Sequence, residues 1–331
     1  MKEFNLQLFS DLQTVVPSPV NKTTDVSYTM KQFYDTQLLE NARTMLYFNQ
    51  FGKKQPLPKN NGKSVEWRKF NTYSPATTPL TEGVTPSGNT VSMTHVEATI
   101  NQYGDYTSIS DRLELEAVDP IIMGVTEEHG AQAGETQDIL TRDVLMTGTN
   151  IIHPAGKTKA TLGATDVITP TLIDQAVAAL KKQKTPLIDG HYVAIIHPSV
   201  AYDLRENSAW IEAHKYAQPE EIYNGEIGML HNVRFIETTN AKVWKGDGTK
   251  DANTAVYSTL VFGKDAWGIV EPSAESMEVI VKQRGSAGTA DPLDQRSSVG
   301  FKFSTAAAIL YPERMVSIET GSFFSGVDDA N

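Results

Sequence analysis

From Lys53 to about Thr90 the chain carries Val65, Trp67, Phe70, Tyr73, Leu80 and Val84 on a backbone interrupted by proline and glycine. Helix is disfavoured there, and a segment of this kind has no second layer of its own on which to bury those side chains. Connections longer than ~15 residues inside a compact domain are usually functional or disordered. Disorder fits poorly: Lys63-Ser-Val-Glu-Trp-Arg-Lys-Phe70 alternates apolar Val65 and Trp67 with charged Glu66 and Arg68, as a half-buried strand does. The stretch is expected to be an arm covered by an identical neighbouring subunit, with Val65, Trp67, Arg68, Phe70, Tyr73, Leu80 and Val84 as the contact residues. On this reading Trp67→Ala leaves a folded, soluble protomer that cannot close an assembly.

The 331 residues suffice for one large or two ordinary domains. A formal net charge of −11 argues against gripping nucleic acid through the bulk surface, because neutralising phosphates takes clustered Lys and Arg. With no cysteine, disulfides, thiolate metal sites and cysteine nucleophiles are excluded. Met1 to Phe9 lacks the charge pattern and cleavage site of a secretory signal, and no run approaches the ~18 apolar residues of a membrane span. The expectation is an unexported protein with no membrane partner.

Helical spacing of Phe33, Leu38, Leu39, Ala42, Met45, Leu46 and Phe51 predicts a helix over 29–51, stopped by Gly52. Val91 to Ser110 reads as one long strand whose apolar phase slips from odd to even positions, which predicts a bulge or a sharp bend near His95. Asp119-Pro120 opens a long helix that runs to about Met146. Gly130 and Gly134 in its middle each cost about 1 kcal/mol relative to Ala. They are read either as a site of close backbone packing or as flexure points.

From Thr169 the pattern turns α/β. Thr169-Pro170 caps a helix with the stripe Leu172, Ile173, Ala176, Val177 and Leu180, followed by strands at 193–196, 233–236 and 255–262 and a short helix from Pro198. Near the end Met277, Val279 and Val281 alternate, and Val299, Phe301, Phe303, Ala307, Ile309 and Tyr311 keep odd phase, so one side of a long strand is a core face. The outer segments are expected to share one sheet, with the α/β part inserted between them.

Catalytic motifs are sparse. Gly156-Lys157-Thr158 resembles the end of a phosphate loop, but Ile151 stands where its first glycine is required. Asp247, Asp251 and Asn253 lack the ligand order and closing Glu of a calcium loop and read as a turn. No histidine pair has metalloprotease spacing; His191 and His197 bracket a buried strand and read as hydrogen-bonded strand ends. No catalytic residue, metal or cofactor is expected. Lys53, Lys54, Lys59, Lys63, Arg68 and Lys69 interleave with Trp67 and Phe70, which also suits single-stranded nucleic acid, yet in an acidic chain pairing with a neighbour's carboxylates is preferred.

In order and spacing, Leu38-Leu-Glu-Asn-Ala-Arg43, Gln50-Phe-Gly52, Asn61-Gly-Lys-Ser-Val-Glu-Trp-Arg68, Pro79-Leu-Thr-Glu-Gly-Val-Thr-Pro86, Gln102-Tyr-Gly-Asp-Tyr106, Ile109-Ser-Asp111 and Gln295-Arg-Ser-Ser-Val-Gly-Phe-Lys302 resemble the major capsid proteins of tailed bacteriophages. Within these the chain is similar to the N-four-type group of the Hong Kong ninety-seven-like coat fold, over about residues 30 to 320. The resemblance implies an α+β capsid fold with an N-terminal arm (1–28), an N-terminal helix (29–52), an extended loop hairpin (53–90), a peripheral β domain carrying a long spine helix (91–149 and 271–331) and an inserted α/β axial domain (150–270). It implies a homo-oligomer of hexamers and pentamers forming an icosahedral shell in the host cytoplasm. That shell would enclose double-stranded DNA without sequence-specific binding, with portal, scaffold and decoration proteins as partner classes. About 26 residues precede the first helix, too few for a large cleaved scaffolding segment, which implies a separate scaffold or unaided assembly. No motif identifies a partner for a lysine crosslink, and none is expected. The alternatives are an encapsulin-like compartment, a soluble α/β enzyme and a phage tail or decoration protein.

Overall fold

The computed structural model describes residues 38, 42, 46–57, 62–71, 73–85, 87–116, 121–207, 229–246, 248–251, 253–272, 277–286 and 291–331. The N-terminal arm, most of the helix expected over 29–51 and the Asp119-Pro120 helix start lie outside them. Leu38 and Ala42 are helical and buried.

Three sheets organise the described chain. A five-stranded sheet runs β1 (Lys53–Leu57), β11 (Trp267–Pro272), β13 (Arg296–Ile309) and β12 (Glu278–Lys282), with β4 (Asn101–Ser110) also paired to β13. A seven-stranded sheet runs β5 (Ile151–Ile152), β14 (Met315–Thr320), β10 (Ala255–Phe262), β6 (Tyr192–Ile196), β8 (Val233–Glu237) and β7 (Met229–Leu230), with β9 (Val243–Lys245) on β10. The third is the ribbon of β2 (Ser64–Phe70) and β3 (Met93–Thr99). Besides the helical Leu38 and Ala42, the α-helices among the described residues are α1 (Asp111–Glu116), α2 (Ile121–Leu145), α3 (Pro170–Lys182) and α4 (Pro198–Arg205).

The α/β part forms as its pattern requires. Thr169 Oγ1 accepts the Leu172 amide at 3.4 Å, Pro170 sits in the first turn of α3, and Leu172, Ile173, Ala176, Val177 and Leu180 are all buried against the seven-stranded sheet. Every residue of β6 and β10 is buried, as befits strands covered on both faces. The expected domain limits need correction, however. Position 270 falls inside β11, which pairs with β13 of the five-stranded sheet, and β14 returns to the inserted unit, antiparallel to β10 from Met315↔Phe262 to Thr320↔Tyr257. All of β14 is buried, between β5 and β10.

The strand expected over 91–110 is also two strands. β2 and β3 pair in unbroken register from Ser64↔Thr99 to Phe70↔Met93, so there is no bulge at His95. The break falls at Ile100, where the chain passes from the ribbon to β13. Val91 and Met93 are simply exposed, and their odd phase marks no core face. In β13 the odd residues Phe301 and Phe303 pack toward Leu38 and Ala133, whereas Ala306 and Ala308, with Leu310 just past the strand, turn the even side of its second half toward Val65 and Trp67. Both faces of that half are covered.

α2 runs unbroken through Gly130 and Gly134. Its buried stripe is small and polar: Thr126, His129, Gly130, Ala133, Gly134, Asp138, Thr141, Arg142 and Leu145. A β-carbon on Gly134 would meet the Cα and carbonyl carbon of Ala42 at 2.9 Å and its oxygen closer still, so close packing accounts for this glycine. Gly134→Ala is expected to destabilise the protomer by about 2 kcal/mol in chemical denaturation, despite alanine's better helix propensity, because backbone must move to admit the methyl group.

Further along α2, Asp138 Oδ1 accepts the backbone amides of Tyr47, Phe48 and Asn49 at 2.9, 2.7 and 3.1 Å. These amides belong to the turn that leads into β1 and the arm, so one carboxylate ties α2 to the arm's origin. Oδ2 is buried without a hydrogen-bond partner. Burial pushes the group up to about 6, against the opposing pull of the three amides and the Arg142 charge.

Candidate subunit-contact surface

The arm divides into an anchored root and a bare tip. In β2 the side chains of Val65, Trp67 and Lys69 share one face by strand alternation. Val65 and Trp67 are only 6% and 8% exposed and pack with Ala98 of β3 on Val270, Ala306, Ala308 and Leu310. The Trp67 indole lies on the bare backbone of Gly268, where a β-carbon would meet the ring at 2.8 Å. This corrects the expectation for these two residues: their cover is the same chain's five-stranded sheet. The small residues Gly268, Ala306 and Ala308 leave room for the indole, but they lie some two hundred positions away, so no local signal in the arm could have revealed them.

Arg68 points away from that interface, is exposed and reaches Glu66 at 3.3 Å. An exposed pair of this kind adds little stability. Past Lys69 the ribbon closes on Asn71, whose amide donates to Ser92 O at 3.0 Å while its Nδ2 donates to Ser92 Oγ at 2.8 Å. From there the chain leaves its subunit. Phe70 and Leu80 are 70% and 77% exposed, and Tyr73, Val84, Val91 and Met93 are exposed as well. The last two were not singled out from sequence, although they flank the same tip. Among the described residues of the tip, the backbone bonds are local ones, Thr77 to Pro75 at 3.0 Å and Val84 to Thr81 at 3.1 Å. The latter turn places Gly83 at φ +76°, a conformation that suits glycine.

Electrostatics separate root from tip too. Between Asn71 and Ser92 the only charged residue is Glu82, while Lys53, Lys54, Lys63, Arg68 and Lys69 all sit at the root. The tip is thus extended, apolar at intervals and almost uncharged. Such a segment can lie against an acidic surface without repulsion.

Within the inserted unit, Ser199, His197, Tyr257 and Asp328 come together. Ser199 Oγ and Tyr257 OH donate to Asp328 Oδ2 at 3.0 and 2.7 Å, and His197 Nδ1 accepts the Ser199 backbone amide at 3.2 Å, capping α4. Burial lowers the His197 pKa although Asp328 opposes it. The serine hydroxyl is thus committed to the carboxylate and the imidazole to a backbone cap, an arrangement that lacks the serine–histidine contact nucleophilic catalysis needs. Its effect is to fasten residues 321–331 to the unit, helped by Asp203, whose carboxylate accepts the Phe323 and Phe324 amides at 2.9 and 3.2 Å. His191 bonds Asn232 at 3.1 Å, so both histidines flanking β6 are hydrogen-bonded strand ends. Lys157, in the phosphate-loop-like segment, is engaged with Asp166 at 2.6 Å.

The fold as a whole is similar to those of solved phage capsids. The fold matches the capsid of cyanophage P-SCSP1u with a TM-score of 0.64 at 15% identity, covering 84% of this chain and 88% of that one. It matches the capsid of Ralstonia phage GP4 with a TM-score of 0.62 at 16% identity, covering 85% and 88%. Both likenesses establish the Hong Kong ninety-seven-like architecture. In sequence the chain is 22% identical to the major capsid protein of Pseudomonas phage KPP21 over 389 residues, covering 94% of this chain and 96% of that protein. A family model described as phage capsid protein matches residues 95–317, well over half of the sequence, and by this match the chain belongs to the phage capsid protein family.

Proposed function

We propose that the chain is the major capsid protein of a tailed phage, assembling as hexamers and pentamers into an icosahedral shell around double-stranded DNA in the host cytoplasm. The observation that carries the reading is the bare tip, with Tyr73, Leu80, Val84 and Val91 exposed, on a root fastened to its own subunit, in a chain of this family. A tip that exposes Phe70, Tyr73, Leu80 and Val84 gains by lying on a neighbour. Each such contact is weak alone, but a closed lattice repeats it and makes the contacts mutually dependent. The net charge of −11 sets subunits to repel one another, and a Debye length of ~8 Å at physiological ionic strength confines that repulsion to the nearest surfaces. A nearly neutral tip suits contact under those conditions. Portal, scaffold and decoration proteins are the further partners this role calls for.

The double variant Leu80→Asp/Val84→Asp tests the reading. Both side chains are exposed, so the thermal midpoint of the protomer is expected to stay within about 1 °C, in keeping with small surface effects. Closed particles in negative-stain microscopy and sedimentation are expected to disappear. Particles of wild-type diameter and yield would remove the tip from assembly.

A further inference from the structure

The face of β2 that buries Val65 and Trp67 ends in Lys69, two residues before the Asn71–Ser92 closure. Lys69 Nζ lies 2.6 Å from Glu313 Oε1 and 4.2 Å from the centre of the Tyr311 ring. The Arg314 guanidinium lies over the same ring at 3.7 Å. The receiving side is rigid. The amides of Leu310 and Tyr311 both donate to Ala266 O, at 3.0 and 2.9 Å, Gly263 N donates to Arg314 O at 3.0 Å, and Arg314 Nη1 donates to Lys264 O at 3.2 Å. Asn150 Nδ2 adds a bond to Pro312 O at 2.7 Å. The turn between β13 and β14 is thereby welded to the turn between β10 and β11, and a flexible lysine is held against it.

We propose that Lys69, Tyr311, Glu313 and Arg314 form a clasp that sets the direction in which the arm leaves its subunit, so that the tip is aimed before it meets a neighbour. Val65 and Trp67 fix where the ribbon sits; a flat apolar contact on Gly268 and alanines constrains its tilt weakly. The ion pair at the far end of the same face supplies the second point that defines a line. Glu313 has the charge state this pairing needs. Burial would raise its pKa, but the Lys69 ammonium and Arg314 hold it below the ordinary glutamate value, so it is ionised at neutral pH. Aiming matters for closure because an arm already oriented loses less freedom on contact. The assembly role of the clasp rests on the capsid reading above, while its action on the arm does not.

The chain has no cysteine, so spin labels can be placed without background. With labels at Thr90→Cys, just beyond the Asn71–Ser92 closure, and Lys264→Cys, the unassembled protomer is expected to give one narrow distance distribution by pulsed EPR. Lys69→Met and Glu313→Gln are expected to broaden it with little change in thermal midpoint, and the exchange Lys69→Glu with Glu313→Lys to narrow it again. Distributions identical across these variants, or no recovery in the exchanged pair, would overturn the clasp. In parallel, Lys69→Met is expected to yield irregular or open particles that the exchange restores. Regular particles from a variant whose distribution has broadened would overturn the role in assembly and leave the clasp itself standing.

Discussion

Asp138→Ala is expected to destabilise the protomer by about 4 kcal/mol, the mid-range cost of stranding several buried amides. The Tyr47, Phe48 and Asn49 amides all donate to Asp138 Oδ1, and Phe48 and Asn49 are buried, so water cannot readily replace the lost acceptor. Chemical denaturation measures the loss, and a cost below about 1 kcal/mol would mean that the turn finds other partners. Asp138→Asn separates charge from geometry, because it retains an acceptor oxygen and cannot ionise. With its pKa raised from 3.8 to about 6, the folded state keeps a proton between those values that the unfolded chain has released. The contribution of Asp138 to stability is therefore greatest below pH 4 and falls as pH rises through 6, by about 3 kcal/mol in all. The difference in stability between wild type and Asp138→Asn should accordingly shift in favour of the variant from pH 4 to pH 7.5. A difference that stays flat would show a carboxylate held ionised by its three amides.

Trp67→Ala is expected to weaken the docking of the arm root by about 4 kcal/mol, the usual cost of a buried aromatic. The indole fills a site built from Gly268, Val270, Ala306 and Ala308, none of which has side-chain bulk enough to close the space it would leave. Because the ribbon is a separate two-stranded sheet, the loss should register as local opening before global unfolding. Hydrogen exchange in 64–70 and 93–99 should accelerate by up to about a thousandfold, the factor that 4 kcal/mol represents, while β6 and β10 stay protected. The protomer stays folded and soluble, as expected from sequence, but with its ribbon loosened. Assembly should fail as well, since a tip on a detached root is no longer presented. Unchanged exchange in the ribbon would show that the indole contributes no anchoring.

The sites differed in legibility for physical reasons. The Thr169 cap and the Leu172 to Leu180 stripe were readable because helix capping and the 3.6-residue period act within a few residues. Exposure of Phe70, Leu80 and Val84 was readable because a proline- and glycine-punctuated stretch offers them no layer of its own. The break at Ile100 was misplaced to His95 because exposed Val91 and Met93 imitated a core phase. Asp138 escaped notice altogether: an acid within a helix looks like a solvated residue until the turn at 47–49 is brought to it. The clasp was hidden likewise, since Lys69 resembled the arm's other lysines and Glu313 lies 244 positions away.

Local periodicity and turn chemistry were thus enough to specify the helices and strands of the α/β stretch, the long helix α2 and an arm whose tip lacks cover within its own sequence. Which apolar face found shelter at home, which strand closed which sheet and which acid held the arm's origin emerged only with the folded chain. The cause is that an apolar pattern records a need for burial without recording the partner. For Val65 and Trp67 that partner is a row of small residues on β11 and β13, brought beneath the ribbon only when the strands pair.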